Sequence, residues 1–140
     1  MALKLSLKPG EQFVINGAVV TNGDRRTTLV VQNKASILRD RDVMREEEAT
    51  TPAKRVYFAC MLAYLDADAA DEAYQRFVAV MDQFLGAVEH PRIRLTCAQV
   101  SFAMMGRDYY RALGGCRELI DYEAMVFGDE HVAQRLQKRA

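Results

Sequence analysis

A series of turn-forming residue pairs divides the first forty residues into short segments, and this feature constrains the fold more than any other. Pro9-Gly10 favours a turn, and Asn16-Gly17 is the pair that tolerates the positive φ angles of a two-residue type I′ hairpin. Asn22-Gly23-Asp24 repeats this turn chemistry. The spacing therefore predicts short antiparallel strands joined by tight turns.

The segments between these turns carry strand patterns. Leu3–Leu7 alternates apolar and polar side chains, which puts its leucines on one face of a strand and Lys4 on the other. Further strands are predicted at Gln12–Ile15, Ala18–Thr21, Thr27–Gln32 and Ser36–Leu38, and the third of these is rich in β-branched residues. Consecutive strands of this kind predict a small N-terminal antiparallel β meander of four to five strands.

The chain after this meander predicts a C-terminal bundle of about four helices, so the expected fold class is α+β. Thr51-Pro52 is a strong helix start, because threonine caps free amide groups and proline fits the first turn. The broad apolar face over Val56–Leu65 favours a central position for this helix. Asp68 is predicted to cap a second helix, which Gly86 ends.

Two further helices are predicted from proline and glycine positions. His90-Pro91 opens the third helix and Gly106 ends it. The fourth helix begins near Tyr109 and contains Gly114-Gly115. Each of these glycines costs about 1 kcal/mol relative to alanine in a helix. The pair therefore predicts the close approach of another helix.

A polar connector with alternating charges, Arg39–Glu48, is the predicted boundary between two parts of the chain. The expected organisation is a basic β module at residues 1–45 followed by an α-helical region at residues 46–140. The charged tail at residues 129–140 is expected to be frayed or weakly helical.

Length and composition favour a globular cytoplasmic protein. A chain of 140 residues buries roughly two-thirds of its surface on folding. The longest apolar run, Val56–Leu65, is about half of the roughly 20 residues that a membrane-spanning helix needs. The three cysteines are widely spaced in apolar or helical surroundings, which predicts buried free thiols; they are Cys60, Cys97 and Cys116.

The residue patterns do not support catalysis, a metal site or a cofactor. His90 and His131 lack carboxylate and cysteine neighbours at ligand or triad spacing, so both are expected on the surface. Asp66, Asp68 and Asp71 resemble part of a calcium loop, but its glycine and distal glutamate are missing. Neither a phosphate-loop nor a dinucleotide-binding motif occurs in the sequence. A non-enzymatic function is therefore expected.

The net charge is zero, but the charge is unevenly distributed. Residues 1–45 contain eight basic and four acidic side chains, so this segment carries a charge of +4 and the remainder −4. Arginine and lysine on a rigid sheet can contact phosphates, and arginine can also bind base edges. The candidate RNA-binding residues are Lys4, Lys8, Arg25, Arg26, Lys34, Arg39 and Arg41.

Two interpretations of these basic positions remain open, a solvated surface and a nucleic-acid contact. They can form a solvated surface, since segments of this charge also occur on proteins that never meet nucleic acid. Phe13 is the only aromatic residue before Tyr57, so the β module lacks the aromatic platform on which many single-stranded RNA binders stack bases. RNA bound by this module alone would therefore depend on charge, arginine and backbone groups.

Five stretches of the sequence, taken together, resemble the flagellar regulator family FlbT. They span nearly the whole chain in the family's order: LKLSLKPGE (Leu3–Glu11), NGAVVTNGDRR (Asn16–Arg26), QNKASILR (Gln32–Arg39), TPAKRVYF (Thr51–Phe58) and YYRALGGCRELIDYE (Tyr109–Glu123). The resemblance implies a small bacterial cytoplasmic protein that binds the 5′ untranslated leader of flagellin messenger RNA and represses its translation or promotes its decay. It also implies functional interplay with the flagellar protein FlaF.

The N-terminal module alone also resembles the carbon storage regulator family, which consists of small RNA-binding β dimers. The spacing that matches is that of Leu3, Leu5, Gly10, Glu11 and Ile15. Leu7 stands where that family tends to have arginine, and Lys8 keeps a basic residue beside it. The segment after Lys34 is only loosely similar, with Arg39 and Arg41 as its basic candidates. These departures argue against that family's binding mode and interleaved dimer for this module.

The rival hypothesis is a protein-interaction adaptor or chaperone for a flagellar component with little affinity for RNA. Its contact surface would be the apolar helix at residues 56–65 or the helix line through Tyr110. A homo-oligomer formed through exposed strand edges is compatible with either function, because open edges of small sheets pair readily with another copy.

Overall fold

The structure, a computed structural model, describes residues 2–126. Over this range, five antiparallel strands are followed by four α-helices, which confirms the α+β class. Among these residues, no helix is both long enough and apolar enough to cross a membrane. The predictions for His131 and for the charged tail lie outside the described residues.

The strands form two small antiparallel sheets. Their bounds are β1 Leu3–Leu7, β2 Gln12–Ile15, β3 Ala18–Thr21, β4 Thr27–Val31 and β5 Ile37–Arg39. One sheet pairs β1 with β4, and the other has the order β3-β2-β5. The predicted strand positions are therefore correct to within a residue or two, but the consecutive order of a simple meander is wrong.

Hydrogen bonds between distant turns explain this strand order. The Asn22 side-chain amide donates to the carbonyl oxygens of Lys8 at 2.8 Å and Arg25 at 2.9 Å. The Gly10 N–H also donates to the carbonyl oxygen of Gly23 at 2.9 Å. These bonds join the β1–β2 turn to the β3–β4 connection, so β4 continues beside β1 instead of folding back on β3.

The Asn16-Gly17 turn matches its sequence prediction. Ile15 is paired with Ala18, so two residues make the turn between β2 and β3. Asn16 has a φ of 50° and Gly17 a φ of 83°, which is the left-handed backbone that a type I′ turn requires. This local chemistry sets the register of the hairpin.

The helices are α1 Pro52–Leu65, α2 Ala70–Gly86, α3 Pro91–Met105 and α4 Tyr109–Val126. Two short 3₁₀ turns, Asp40–Asp42 and Glu46–Glu48, connect β5 to α1. Helix α1 packs against α2 and α4, while α3 packs against α4. The central position predicted for α1 is confirmed, since eight of its residues are buried.

The strands and helices share one hydrophobic core. Val14 of β2 and Leu38 of β5 belong to the same buried cluster as Val56, Cys60 and Leu113 from α1 and α4. The predicted free thiols are also confirmed, because all three cysteines are unbridged and buried. The sheet therefore packs on the helical bundle through apolar side chains.

Helix capping confirms the prediction at Thr51, adds an unpredicted cap at His90 and overturns the prediction at Asp68. The Thr51 side chain accepts a hydrogen bond from the Lys54 N–H, with Pro52 in the first turn as predicted. His90 is exposed, and its Nδ1 accepts a hydrogen bond from the Arg92 N–H at the start of α3. The predicted Asp68 cap is wrong: the Asp66 carboxylate accepts from the Asp68 N–H and caps a short 3₁₀ turn that leads into α2.

Gly115 permits the close contact that its position in α4 predicts. A Cβ atom there would lie 2.5 Å from Cγ2 of Val100 on α3. A Cβ atom on Gly114 would have no neighbour within 4 Å. Close helix packing therefore requires glycine at position 115 and not at position 114.

Candidate nucleic-acid interface

The seven basic residues predicted to bind RNA lie in two groups. The turn group is near the β1–β2 turn and the β3–β4 connection, and it contains Lys8, Arg25 and Arg26. The other four residues line a groove between the sheets and the helices, and they are Lys4, Lys34, Arg39 and Arg41. The tertiary structure thus brings together residues that are up to 37 positions apart in the sequence.

The turn group is built on a rigid backbone. All three of its basic residues are exposed. The two hydrogen bonds from Asn22 hold the carbonyl groups of Lys8 and Arg25 next to the same side-chain amide. These hydrogen bonds therefore hold the two turns that carry the cations next to each other.

The groove has a volume of about 780 Å³ and a basic lining. Its walls come from β1, the β4–β5 connection, β5, the first 3₁₀ turn, α1 and α4. Five cations line it within the described part of the chain, against one acidic residue, Asp42; they are Lys4, Lys34, Arg39, Arg41 and Arg117. This composition favours an anionic ligand.

Lys4 points away from the core. Leu5 and Leu7 on β1 are buried, at 6% and 2% exposure, while Lys4 is exposed on the opposite face. Lys4 is paired across the strands with Val30 of β4, which is 47% exposed. The alternation predicted for β1 therefore holds, and the ammonium group of Lys4 is accessible at the groove.

Among the seven predicted residues, Arg39 makes the shortest ion pair within the described part of the chain. Its guanidinium donates to Glu11 Oε2 at 2.9 Å and to the Ser6 carbonyl oxygen at 3.2 Å. The Lys8 N–H and the Arg39 guanidinium hold the pKa of Glu11 below its ordinary value. An anionic ligand would have to compete with Glu11 for Arg39, so this residue serves first to join β5 to the β1–β2 turn.

Arg41 and Arg117 flank Asp42. Arg41 has an 81% exposed side chain, and its Nε lies 3.9 Å from Asp42 Oδ2. A terminal nitrogen of Arg117 lies 3.8 Å from Asp42 Oδ1. Ion pairs this long between partly exposed groups contribute little binding energy, so both guanidinium groups remain available to a ligand.

Two tyrosines extend this groove beyond what the sequence of the β module indicated. Tyr64 comes from α1 and Tyr110 from α4, and their ring centroids are 5.7 Å apart at an interplanar angle of 49°. Tyr110 is 57% exposed. Tyr110 and Arg117 are seven residues apart on α4, a spacing that puts two side chains on one helix face. That spacing is the sequence signal that could have identified both residues.

The hydroxyl group of Tyr64 fixes one wall of the groove. It accepts a hydrogen bond from the Ile37 N–H at 2.8 Å and donates one to the Ile37 carbonyl oxygen at 3.0 Å. Burial raises the pKa of Tyr64 above its ordinary value, so the hydroxyl stays protonated near neutral pH. Both outward backbone groups of Ile37 are thus occupied, which ties α1 to β5 and covers this point of the sheet edge.

Comparison with known proteins identifies relatives along almost the whole chain. Residues 3–127 match the family described as "Flagellar protein FlbT". The "Probable flagellum biosynthesis repressor protein FlbT" of Caulobacter sp. (strain K31) is 52% identical over 128 residues, which cover 91% of this chain and 98% of the relative.

More distant relatives carry the same name. The protein of Rhodopseudomonas palustris (strain TIE-1) is 37% identical over 124 residues, which cover 88% of this chain and 95% of the relative. No solved structure matches this chain. The length of the family match and the identity to these relatives show that the chain belongs to the FlbT family of flagellar proteins.

Proposed function

We propose that this protein is a non-enzymatic, cytoplasmic regulator of flagellin synthesis that binds the 5′ untranslated leader of flagellin messenger RNA. The relatives are named repressors of flagellum biosynthesis, which supports a regulatory role. Binding at the leader would hinder ribosome loading or change the rate of decay, so the expected outcome is repression of translation or loss of the message.

The observation that carries this proposal is the convergence of cations around one solvent-open groove. Lys4, Lys34 and Arg41 come from the β module and its connector, while Arg117 comes from α4. Phosphate contacts supply much of the affinity of proteins for nucleic acid, and arginine adds hydrogen bonds to base edges. The turn group of Lys8, Arg25 and Arg26 is a second set of exposed cations for the same polyanion.

The test is a titration of the purified protein with flagellin leader RNA over a range of salt concentrations. If about four side chains neutralise phosphates, log K falls against log salt with a slope near −3, at roughly 0.7 per neutralised phosphate on a single strand. A leader affinity that does not change with salt, or the absence of leader binding, would contradict the proposal.

A protein-interaction adaptor or chaperone is the second candidate. The helix at residues 56–65, one of its two expected contact surfaces, is mostly buried in the core, so that expectation is wrong, and the surface of α3 favours the candidate instead. Three apolar side chains are exposed there: Leu95 at 59%, Phe102 at 75% and Met105 at 62%. Such a surface is suited to a protein contact. Functional interplay with FlaF is proposed from the family relationship. This candidate predicts a stable complex with a flagellar protein and little RNA affinity. Size exclusion of the purified protein, together with the ratio of nucleic-acid to protein absorbance, shows whether RNA or a protein co-purifies and so separates the two candidates.

Self-association through strand edges is also part of the proposal. Tyr64 covers β5 at Ile37. Within residues 2–126, no strand pairs with the outer edge of β3, where Val19 is 70% exposed. The outer edges of β1 and β4 are also unpaired within this range. We propose β3 as the pairing edge because Val19 is the most exposed large apolar side chain on these strands, and light scattering of the Val19→Lys variant tests it. A dimer that persists unchanged in this variant would point to another interface.

A further inference from the structure

We propose that Tyr110 stacks on an unpaired RNA base while the cations of the groove hold the phosphates beside it, an inference that rests on the proposed leader binding. The groove would therefore bind single-stranded RNA, and α4 would be part of the RNA site. Neither Tyr110 nor Arg117 belongs to the basic N-terminal segment.

Tyr110 has the exposure that base stacking requires. It is 57% exposed at the groove, although tyrosine is a side chain that is well suited to burial. Aromatic rings stack on every base, because each base has a π face, so such a contact tolerates many sequences. An exposed tyrosine among basic side chains combines the two elements that single-stranded RNA binders share, which are a stacking ring and cations along the backbone.

Tyr64 gives Tyr110 a rigid neighbour. The two hydrogen bonds to Ile37 orient the hydroxyl of Tyr64 and thereby its ring. The ring of Tyr110 lies against it with a centroid distance of 5.7 Å. A preorganised ring loses less conformational freedom when a ligand binds, so this arrangement favours a stable stack.

Arg117 is positioned by neighbouring side chains, one of which, Asp42, also lines the groove. It lies beside the Tyr57 hydroxyl and 3.8 Å from the Asp42 carboxylate. The Tyr57 hydroxyl in turn donates to the Asp42 carbonyl oxygen at 2.6 Å. On α4, Arg117 follows Tyr110 by seven residues, which is a rise of about 10 Å. One face of the helix thus carries a ring for a base and a cation for a phosphate.

Base pairing in the RNA would prevent this contact. Bases inside a duplex are stacked on each other, so a protein side chain stacks on bases that are splayed out of loops, bulges or single strands. An acidic peptide would also suit the charge of the groove, but it offers no flat π surface to Tyr110. Single-stranded RNA accounts for both the cations and the tyrosine.

Affinity measurements on three variants test the inference. Tyr110→Ala should weaken binding of the single-stranded leader about tenfold, because stacking contributes on that order per base. Tyr110→Phe keeps the ring and should bind like the parent protein. Phe102→Ala removes an exposed aromatic side chain of α3 outside this groove and is the matched control. Circular dichroism verifies folding, and the salt slope should be unchanged in Tyr110→Ala.

A tryptophan reporter observes the stack directly. The chain contains no tryptophan, so Tyr110→Trp introduces a single tryptophan at the groove, whose emission is excited selectively at wavelengths that tyrosine does not absorb. Single-stranded leader RNA should quench its fluorescence, whereas the same RNA annealed to its complement and a poly-glutamate peptide should quench it much less. Equal quenching by the duplex, or quenching by the peptide alone, would overturn the inference.

The failure of this inference is distinguishable from the failure of the proposed function. If Tyr110→Ala binds the leader like the parent while reversal of Lys34 and Arg41 weakens binding, the stacking inference is wrong and leader binding stands. If the parent protein does not bind the leader, the proposed function itself is wrong.

Discussion

The backbone N–H of Ala53 donates a hydrogen bond to the Glu123 carboxylate at 3.0 Å, joining the first turn of α1 to the last third of α4. The Thr51 hydroxyl donates to the other carboxylate oxygen of the same residue. Glu123 is only 7% exposed. Its negative charge lies at the positive end of the α1 dipole, where free N–H groups need acceptors. Glu123 therefore caps the N-terminus of α1, although it lies 70 residues after Ala53 in the sequence.

Replacement of Glu123 by alanine should lower the free energy of unfolding by about 1–3 kcal/mol, because it leaves the buried Ala53 N–H without its acceptor. Urea denaturation measures the change. Glu118→Ala on the same helix is the control. Glu118 forms a 3.4 Å ion pair with the 78% exposed Arg92, so its removal should cost less than about 1 kcal/mol. Equal effects of the two substitutions would contradict the capping role.

Gly115→Ala should destabilise the protein by about 1–3 kcal/mol, since its Cβ atom would collide with the branched side chain of Val100 in a packed core. Gly114→Ala should be neutral or stabilise the protein by up to about 1 kcal/mol, because alanine favours the helix and the site is open. Thermal melting of the two single variants compares neighbouring glycines in the same helix. Destabilisation by Gly114→Ala as large as that by Gly115→Ala would refute the close packing at position 115.

Stability should fall in acid partly through Glu11. The folded protein holds the pKa of Glu11 below its unfolded value, so the unfolded state binds the proton more readily. This contribution is present above the unfolded pKa of about 4.3 and is lost as the pH falls through the lower folded value. Glu11→Gln should therefore flatten the decline of the urea midpoint between about pH 5 and pH 3. Asp24→Asn in the neighbouring exposed turn is the control, and an equally flattened decline there would contradict this role of Glu11.

Charge reversal of Arg25 and Arg26 should weaken leader RNA binding and make the salt slope shallower by roughly 0.7 for each phosphate that is no longer neutralised. Both side chains are exposed, so folding should persist. Substitution of both by lysine should retain most of the affinity. Arg55→Glu, an exposed site on α1 outside both basic groups, should have little effect. Filter binding at several salt concentrations provides the measurement, and an unchanged slope in the double reversal would exclude the turn group from the site.

The features that were predictable from the sequence are those set by neighbouring residues. Asn16-Gly17 adopts the positive φ angles that its residue types favour. Thr51 and Pro52 start α1 through preferences of the first helical turn. The alternation in Leu3–Leu7 correctly separates the buried leucines from Lys4. Each of these features depends on backbone and side-chain preferences within a few residues, which a linear pattern expresses directly.

The candidate site was only partly predictable for the same reason. The basic residues of the first 45 positions could be selected as RNA-binding candidates because they are lysine or arginine. Their division into the turn group and the groove depends on the pairing of β1 with β4. The engagement of Arg39 by Glu11 joins residues 28 positions apart. Tyr110 and Arg117 reach the groove from α4 because α1 packs against α4 and Tyr64 binds β5.

The amino-acid sequence by itself determined the fold class, the strand and helix positions and the family, because periodicity, turn residues and residue identity are local properties of the chain. Only the tertiary structure decided the strand order and which cations share a groove with two tyrosines. Those outcomes depend on hydrogen bonds and packing between residues far apart in the chain, such as Asn22 with Lys8 and Tyr64 with Ile37. No pattern within a single segment contains that information.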